Sequence, residues 1–239
     1  QALVGNYVTI YGNNVTVTAT SDKKFINIVI SGGVSADGPT VTGSTAVVVV
    51  GDTVKAAIGE YDKIYANGDV TIIALGKTDI IDIIGNLGIS GGSAAVGASI
   101  DTIVYQGTIY AGVGKETEIT ATNGNVIVSA KSDDTLADLV IGAAVSGSGA
   151  AVSGSMVVIV AKQNVFALIG TPDSGNTKAD ADGTRISADG SIQVTAEAEQ
   201  TILSGAGSLA VGAGSAGVGA GVIVITDIHR AWAEVGTNG

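Results

Sequence analysis

Cysteine is absent from the chain, which excludes a disulfide framework and thiol chemistry. Histidine occurs once, at His229, and arginine only at Arg185 and Arg230. No Ser-His-Asp or Cys-His arrangement therefore has several candidate parts. His229 reads as a coil-surface residue, and the chain as non-catalytic and without a cofactor. Aromatic residues make up 4% of the sequence, too few for a core built on Phe, Tyr and Trp, while 46% hydrophobic residues exclude a disordered chain. The core is left to Val, Ile, Ala and Gly. Positive charge is also scarce: 11 basic against 22 acidic residues give a net charge of −11, and the basic residues are scattered. Such a surface repels a phosphate backbone, so nucleic acid is excluded as a partner, and the acidity keeps an apolar chain in solution. With 2 prolines, 1 methionine and long runs of Val and Ile, the chain reads as all-β.

Glycine is abundant, 36 residues, about twice the ~7% of ordinary proteins. It is distributed periodically. A turn of Asn, Asp and Gly followed by a β-branched strand occurs four times: before Val15, as Asn67-Gly68-Asp69 before Val70, as Asn123-Gly124-Asn125 before Val126, and as Asp189-Gly190-Ser191 before Ile192. Asn, Asp and Gly tolerate the left-handed backbone of a sharp bend, and the residues after them favour extension. From each opening residue to a later apolar one (Val15 to Val54, Val70 to Ile109, Val126 to Val165, Ile192 to Ala231) the separation is 39. Each unit closes on a signature such as Ala56-Ala57-Ile58-Gly59 or Ala167-Leu168-Ile169-Gly170, and the closing glycines lie 54, 55, 56 and 66 residues apart. The units run approximately 5–59, 60–114, 115–170 and 171–236 in a single solenoid over 1–239, with a surface-loop insertion at 171–182.

Between turn and closure lie stacked columns: Val41, Val96, Val152 and Val218, or the small Gly43, Ala98, Gly154 and Ala220. A unit of about 55 residues is ~180 Å of extended chain, against the ~17 to 20 Å of a typical strand. The expected fold is therefore a right-handed parallel β-helix with about three coils per unit, roughly a dozen coils in a rod of about 60 Å. Val96 and Val152 are expected to be buried and on one ladder.

Residues 200–226 and 139–161 carry no charge and are long enough for membrane spans. The equivalent tract of the first unit contains Asp37, and that of the second is followed by Asp101, so a membrane is not expected as a partner. Carboxylates cluster at Asp79 with Asp82, and at Asp133 with Asp134 and Asp138, as a polysaccharide-degrading β-helix enzyme would need. Asp173, Asp180 and Asp182 in the insertion place oxygen ligands at short spacing, a Ca²⁺ candidate without the EF-hand pattern. The column Lys55, Tyr110, Phe166 and Trp232 precedes the closing Ala of each unit and is expected to face outward. Outward rings are a surface for flat sugar faces or a partner.

The pattern Ile-x-Ala-x-Gly-x-Val-x-Val-x-Ala of residues 186–196, followed in each unit by a tract such as Gly91-Gly92-Ser93-Ala94-Ala95-Val96-Gly97, resembles the repeats of large Gram-negative filamentous adhesins, the leukotoxin-like and filamentous-haemagglutinin-like group. The resemblance implies a secreted or surface-exposed rod, extracellular, engaging a host surface protein or glycan, with no catalytic residues to carry over. A membrane-active leukotoxin-like segment is the alternative within the group. Gln1-Ala2-Leu3-Val4-Gly5 has no basic leader, and both termini fall in phase with the repeat. The chain is accordingly expected to be an excerpt of a longer array or to stack head to tail with copies of itself.

Overall fold

A computed structural model describes residues 1–172, 179–180 and 183–236. Every element in it is a strand. In chain order these are β1 (Ala2–Leu3), β2 (Thr9–Gly12), β3 (Val15–Ser35), β4 (Thr40–Ile58), β5 (Lys63–Ala66), β6 (Val70–Ser90), β7 (Ala94–Val113) and β8 (Glu118–Ala121). There follow β9 (Val126–Ser146), β10 (Ala150–Ile169), β11 (Thr171–Pro172), β12 (Ala179–Asp180), β13 (Arg185–Ala188), β14 (Ile192–Gly212) and β15 (Gly217–Val235). Three parallel sheets stack as β14-β9-β6-β3, β1-β4-β7-β10-β15 and β13-β8-β5-β2, while β11 and β12 form a small antiparallel pair. The chain is a parallel β-helix.

One expectation is corrected. Ala56 pairs with Ala111, Ala111 with Ala167, and Ala167 with Ala233, so hydrogen-bonded neighbours lie a whole repeat apart and each repeat is a single coil. The estimate of three coils assumed strands of ordinary length. Instead β3, β6, β9 and β14 each run 21 residues, ~70 Å at ~3.3 Å per residue. Each coil is a flat loop with two long sides, a tight turn at the far tip and a four-residue strand closing the near end. Four such coils at ~4.8 Å spacing make a slab under ~20 Å thick along the stacking axis rather than a long rod.

The Asn/Gly turn that opens each coil also ties it to the next. Asn14 Oδ1 accepts from the Asp69 amide at 2.9 Å, Asp69 Oδ1 from the Asn125 amide at 2.7 Å, and Asn125 Oδ1 from the Ser191 amide at 2.9 Å. A short side chain with an acceptor oxygen satisfies a turn amide that no strand can reach. Asp69→Ala is expected to cost about 1 kcal/mol by leaving the Asn125 amide without this acceptor, read as a shift in the urea midpoint. At the near end Tyr7, Tyr61 and Glu116 adopt φ of 61°, 60° and 54°, with Gly183 at 70° in the equivalent place, so every coil turns this corner through the left-handed region.

Alternation governs the interior. In the near half, Val15, Val17 and Ala19 with their equivalents Val70, Ile72, Ala74, Val126, Val128 and Ala130 point inward and meet Val54, Ile109 and Val165 from the facing sheet. A second cluster around Ile80, Ile84, Leu136, Ile103 and Ile159 fills the middle, and Ala95, Ala144 and Ala151 fill the tip. Val96 and Val152 do share a ladder, but they are 39% and 47% exposed, which corrects the expectation that they are buried. Their neighbours Ala95 and Ala151 take the inward positions, and a strand cannot turn two successive residues inward.

Candidate functional site

The same alternation divides the acidic clusters of the sequence. Asp79 and Asp133 stand on outward columns, Asp79 with Lys77 at 3.8 Å, whereas Asp82, Asp134 and Asp138 are buried between the two long sheets. The facing sheet contributes Asp101, wholly buried, whose carboxyl pKa is pushed up to about 8 by burial and by the nearby Asp138 and Asp82 carboxylates across the gap. Sequence distance hid this third partner; only its parity, opposite to Ile100 and Thr102, marks it as inward. An open depression of about 380 Å³ lies beside Asp82 and Asp138, lined mostly by the apolar Ile81, Ile83, Leu139 and Leu203. Among the described residues no three His, Cys, Asp or Glu side chains are placed to hold a metal ion.

Asp134 is the centre of a polar cross-link through the slab. Its Oδ2 accepts from the Tyr105 hydroxyl at 2.8 Å and the Ser132 hydroxyl at 3.1 Å, and from Gln163 Nε2. Burial pushes the Asp134 carboxyl above the usual carboxylate range, against the lowering pull of the Tyr105 and Ser132 hydrogen bonds, and pushes the Tyr105 hydroxyl up as well. A buried acid with a raised pKa favours the fold in its neutral form. Its contribution is complete below the unfolded value near 3.8 and is lost as pH rises through the folded value. Thermal melts taken from pH 3.5 upward are expected to show a falling Tm, and Asp134→Asn to flatten that fall. An equally steep decline in the variant would show that Asp134 does not titrate this way.

The aromatic column is formed as expected: Lys55, Tyr110, Phe166 and Trp232 pair in register and point away from Val54, Ile109 and Val165. It is less open than an outward column would suggest. Tyr110 and Phe166 are half-buried, Lys55 Nζ lies 5.1 Å from the Tyr110 ring centre, and Trp232 Nε1 donates to Glu234 Oε2 at 2.7 Å. The Tyr110 ring folds back over Gly112, where no side chain stands in its way, and burial raises its hydroxyl pKa to about 12. The flatter exposed aromatic surface was not singled out by the sequence. Tyr7 stacks on Tyr61 with ring centres 4.8 Å apart and planes 4° from parallel, and Tyr11 stacks on Tyr65 at 5.2 Å. The 54-residue spacing within both pairs, one coil, was the signal available. Of the Ca²⁺ candidates, Asp173 and Asp182 lie outside the described residues, and Asp180 is described only as backbone paired with Thr171. His229 stands in the outermost coil, exposed and paired with Asp227.

The fold and these surfaces define a flattened parallel β-helix with its acidic groups divided between the buried interior and scattered surface positions. No protein-family model, curated protein or solved structure matches the chain.

Proposed function

We propose that this chain is a non-catalytic segment of a repetitive, secreted or cell-surface filament of the adhesin type, whose coils supply length and whose outer faces supply binding surface. The observation that carries this reading is the open parallel register. β3 and β14, 21 residues each, have a hydrogen-bonded neighbour on one side only among the described residues. Backbone edges of that length recruit strands of the same period. Further coils of this repeat, in one chain or in copies docked head to tail, are the partners that fit, and head-to-tail contacts need not close. Adhesion to a host protein or glycan, and the extracellular location, rest on the resemblance of the repeats. The exposed stacks Tyr7–Tyr61 and Tyr11–Tyr65 offer such a ligand a flat apolar face.

Sedimentation velocity of the purified chain over a hundredfold concentration range tests the stacking directly. Growth to end-to-end oligomers is the expected result, and a single monomeric species throughout would overturn it. Incubation with acidic and neutral glycans, with and without Ca²⁺, separates binding from hydrolysis. Retention without product is expected, and released oligosaccharide would establish the enzyme instead.

A further inference from the structure

In the far half of each coil the outer faces lose their charge. Outward columns of the near half carry Thr16, Thr18, Thr20, Asp22 and Lys24, with Lys77, Asp79, Lys131 and Glu199 among their equivalents. From residue 26 of the first coil onward this stops. Positions 26, 28, 30, 32 and 34 on one sheet and 41, 43, 45, 47 and 49 on the other head ten outward columns through all four coils. No charged residue stands in any of them, and the only polar ones are Thr45, Thr102 and Thr226. Between the Gly and Ala places of these columns stand large exposed side chains even in the inner coils, with Leu87 at 45%, Leu139 at 42% and Ile141 at 47%. At the same heights the inner walls present Asp82, Asn86 and Ser90, and Ser99 and Asp101, interleaved with Ile84 and Ile103, all buried.

The two apolar bands lie back to back. Ser31 and Ser44 meet across the slab at 2.9 Å, and Asn86 meets Ser99, so the band over residues 26–34 covers the same height as that over 41–49. Nine residues at ~3.3 Å span ~30 Å, the thickness of a bilayer's hydrocarbon and the length of a membrane-crossing strand. Beyond the band, the tip turns satisfy their own backbone: Ser90 Oγ donates to Gly38 O at 2.7 Å, and Ser146 Oγ accepts from the Gly149 amide at 3.0 Å. An apolar, charge-free outer belt of this height, over an interior that can hold polar groups such as Asp82, Asn86 and Asp101, is the outer face of strands that cross lipid.

We propose that the far half of each coil is built to sit in the hydrocarbon of a lipid bilayer, with acyl chains against both long faces and the tips emerging on the opposite side. A second copy of the chain fits less well as the occupant, because it would cover one face and leave an identical problem on the other. The two acidic residues that counted against a membrane in the sequence do not oppose it in three dimensions. Asp101 points into the slab, and Asp37 lies in the tip turn beyond the band. No helix of the described residues is suited to cross a membrane, so the crossing elements are strands. Strand edges are not tolerated in hydrocarbon. The inserted species is therefore one whose outer coils are covered by further coils, and to that extent the inference rests on the stacking reading.

The absence of cysteine makes the test direct. Single-cysteine variants at outward band positions (Ile83, Leu139, Ile141, Val152) and at outward near-half positions (Thr71, Ser129) carry an environment-sensitive dye. Each is mixed with phosphatidylcholine vesicles with or without brominated acyl chains. Band labels are expected to shift to the blue on adding vesicles and to be quenched by bromine, most strongly at Ile141, while near-half labels do neither. Ile83→Lys combined with Val104→Lys is expected to reduce the vesicle-bound fraction about tenfold or more, with circular dichroism unchanged, whereas Thr71→Lys leaves it intact. Band labels silent to vesicles, or bound without bromine quenching, would overturn the proposal. So would a blue shift without lipid that grows with protein concentration, which identifies packing between copies. A chain monomeric in solution whose band labels are quenched retains the bilayer and loses the stacking; concentration-dependent growth with silent labels does the reverse.

Discussion

Leu136→Ala is expected to destabilise the protein by about 2–5 kcal/mol, because the side chain is fully buried in the middle of the slab and its loss leaves a cavity between two sheets that cannot close on it. Its counterpart is Leu139, three residues further along β9 and on the opposite face, 42% exposed. Leu139→Ala is expected to cost less than about 1 kcal/mol. Urea denaturation of the two variants reads the phase of the strand. A shift of one residue in register would exchange the two faces along the whole of β9, so a larger loss at Leu139 than at Leu136 would show that the apolar far-half columns face inward after all.

Gly124→Val is expected to cost about 1–3 kcal/mol or to prevent folding, since a Cβ at this turn would meet Gly68 O at 2.5 Å and Asp69 N at 2.6 Å in the coil beneath. Coils ~4.8 Å apart stack backbone on backbone at Gly124, and neither partner there is a side chain that can move aside. Gly154→Ala is the control. Nothing lies within 4 Å of a Cβ at Gly154, and its column neighbours Ala98 and Ala220 already carry one. Its stability is expected to stay within about 0.5 kcal/mol of the parent, measured in the same urea titration.

Glycine thus serves two different ends in the two places. At Gly68, Gly124 and Gly190 it is a steric requirement of stacking, which the recurrence of Asn-Gly and Asp-Gly announces in the sequence. At Gly43 and Gly154 it belongs to an outward column that accepts any small apolar residue.

The binding and interior sites were legible to different degrees for a related reason. Lys55, Tyr110, Phe166 and Trp232 could be aligned in the sequence because they occupy one phase of one repeat. Asp101 could not be joined to Asp82 and Asp138, nor Tyr105 and Gln163 to Asp134, because those contacts pass from one long side of the coil to the other, and Asp101 to Asp138 and Tyr105 to Asp134 also cross between repeats. A translational repeat reports which residues stack along the axis and is silent on which ones face each other across it.

The sequence by itself determined the period, the parallel stacking of equivalent residues, the turn that opens each coil and the division of every strand into two faces. All four are local or translational, and each is written several times over. Only the tertiary structure decided how many coils a repeat makes and which face of the far half lies inside. The number of coils depends on where the chain bends, and β3 and β4 run on for 21 and 19 residues, β3 straight through Ser31-Gly32-Gly33. Hydrophobicity alone would turn Ile28, Ile30 and Val34 inward in place of Asn27, Ser31 and Ser35. They face outward because β3 is one unbroken strand whose phase is set at its start, where Val15, Val17 and Ala19 enter the core and every second residue after them must follow.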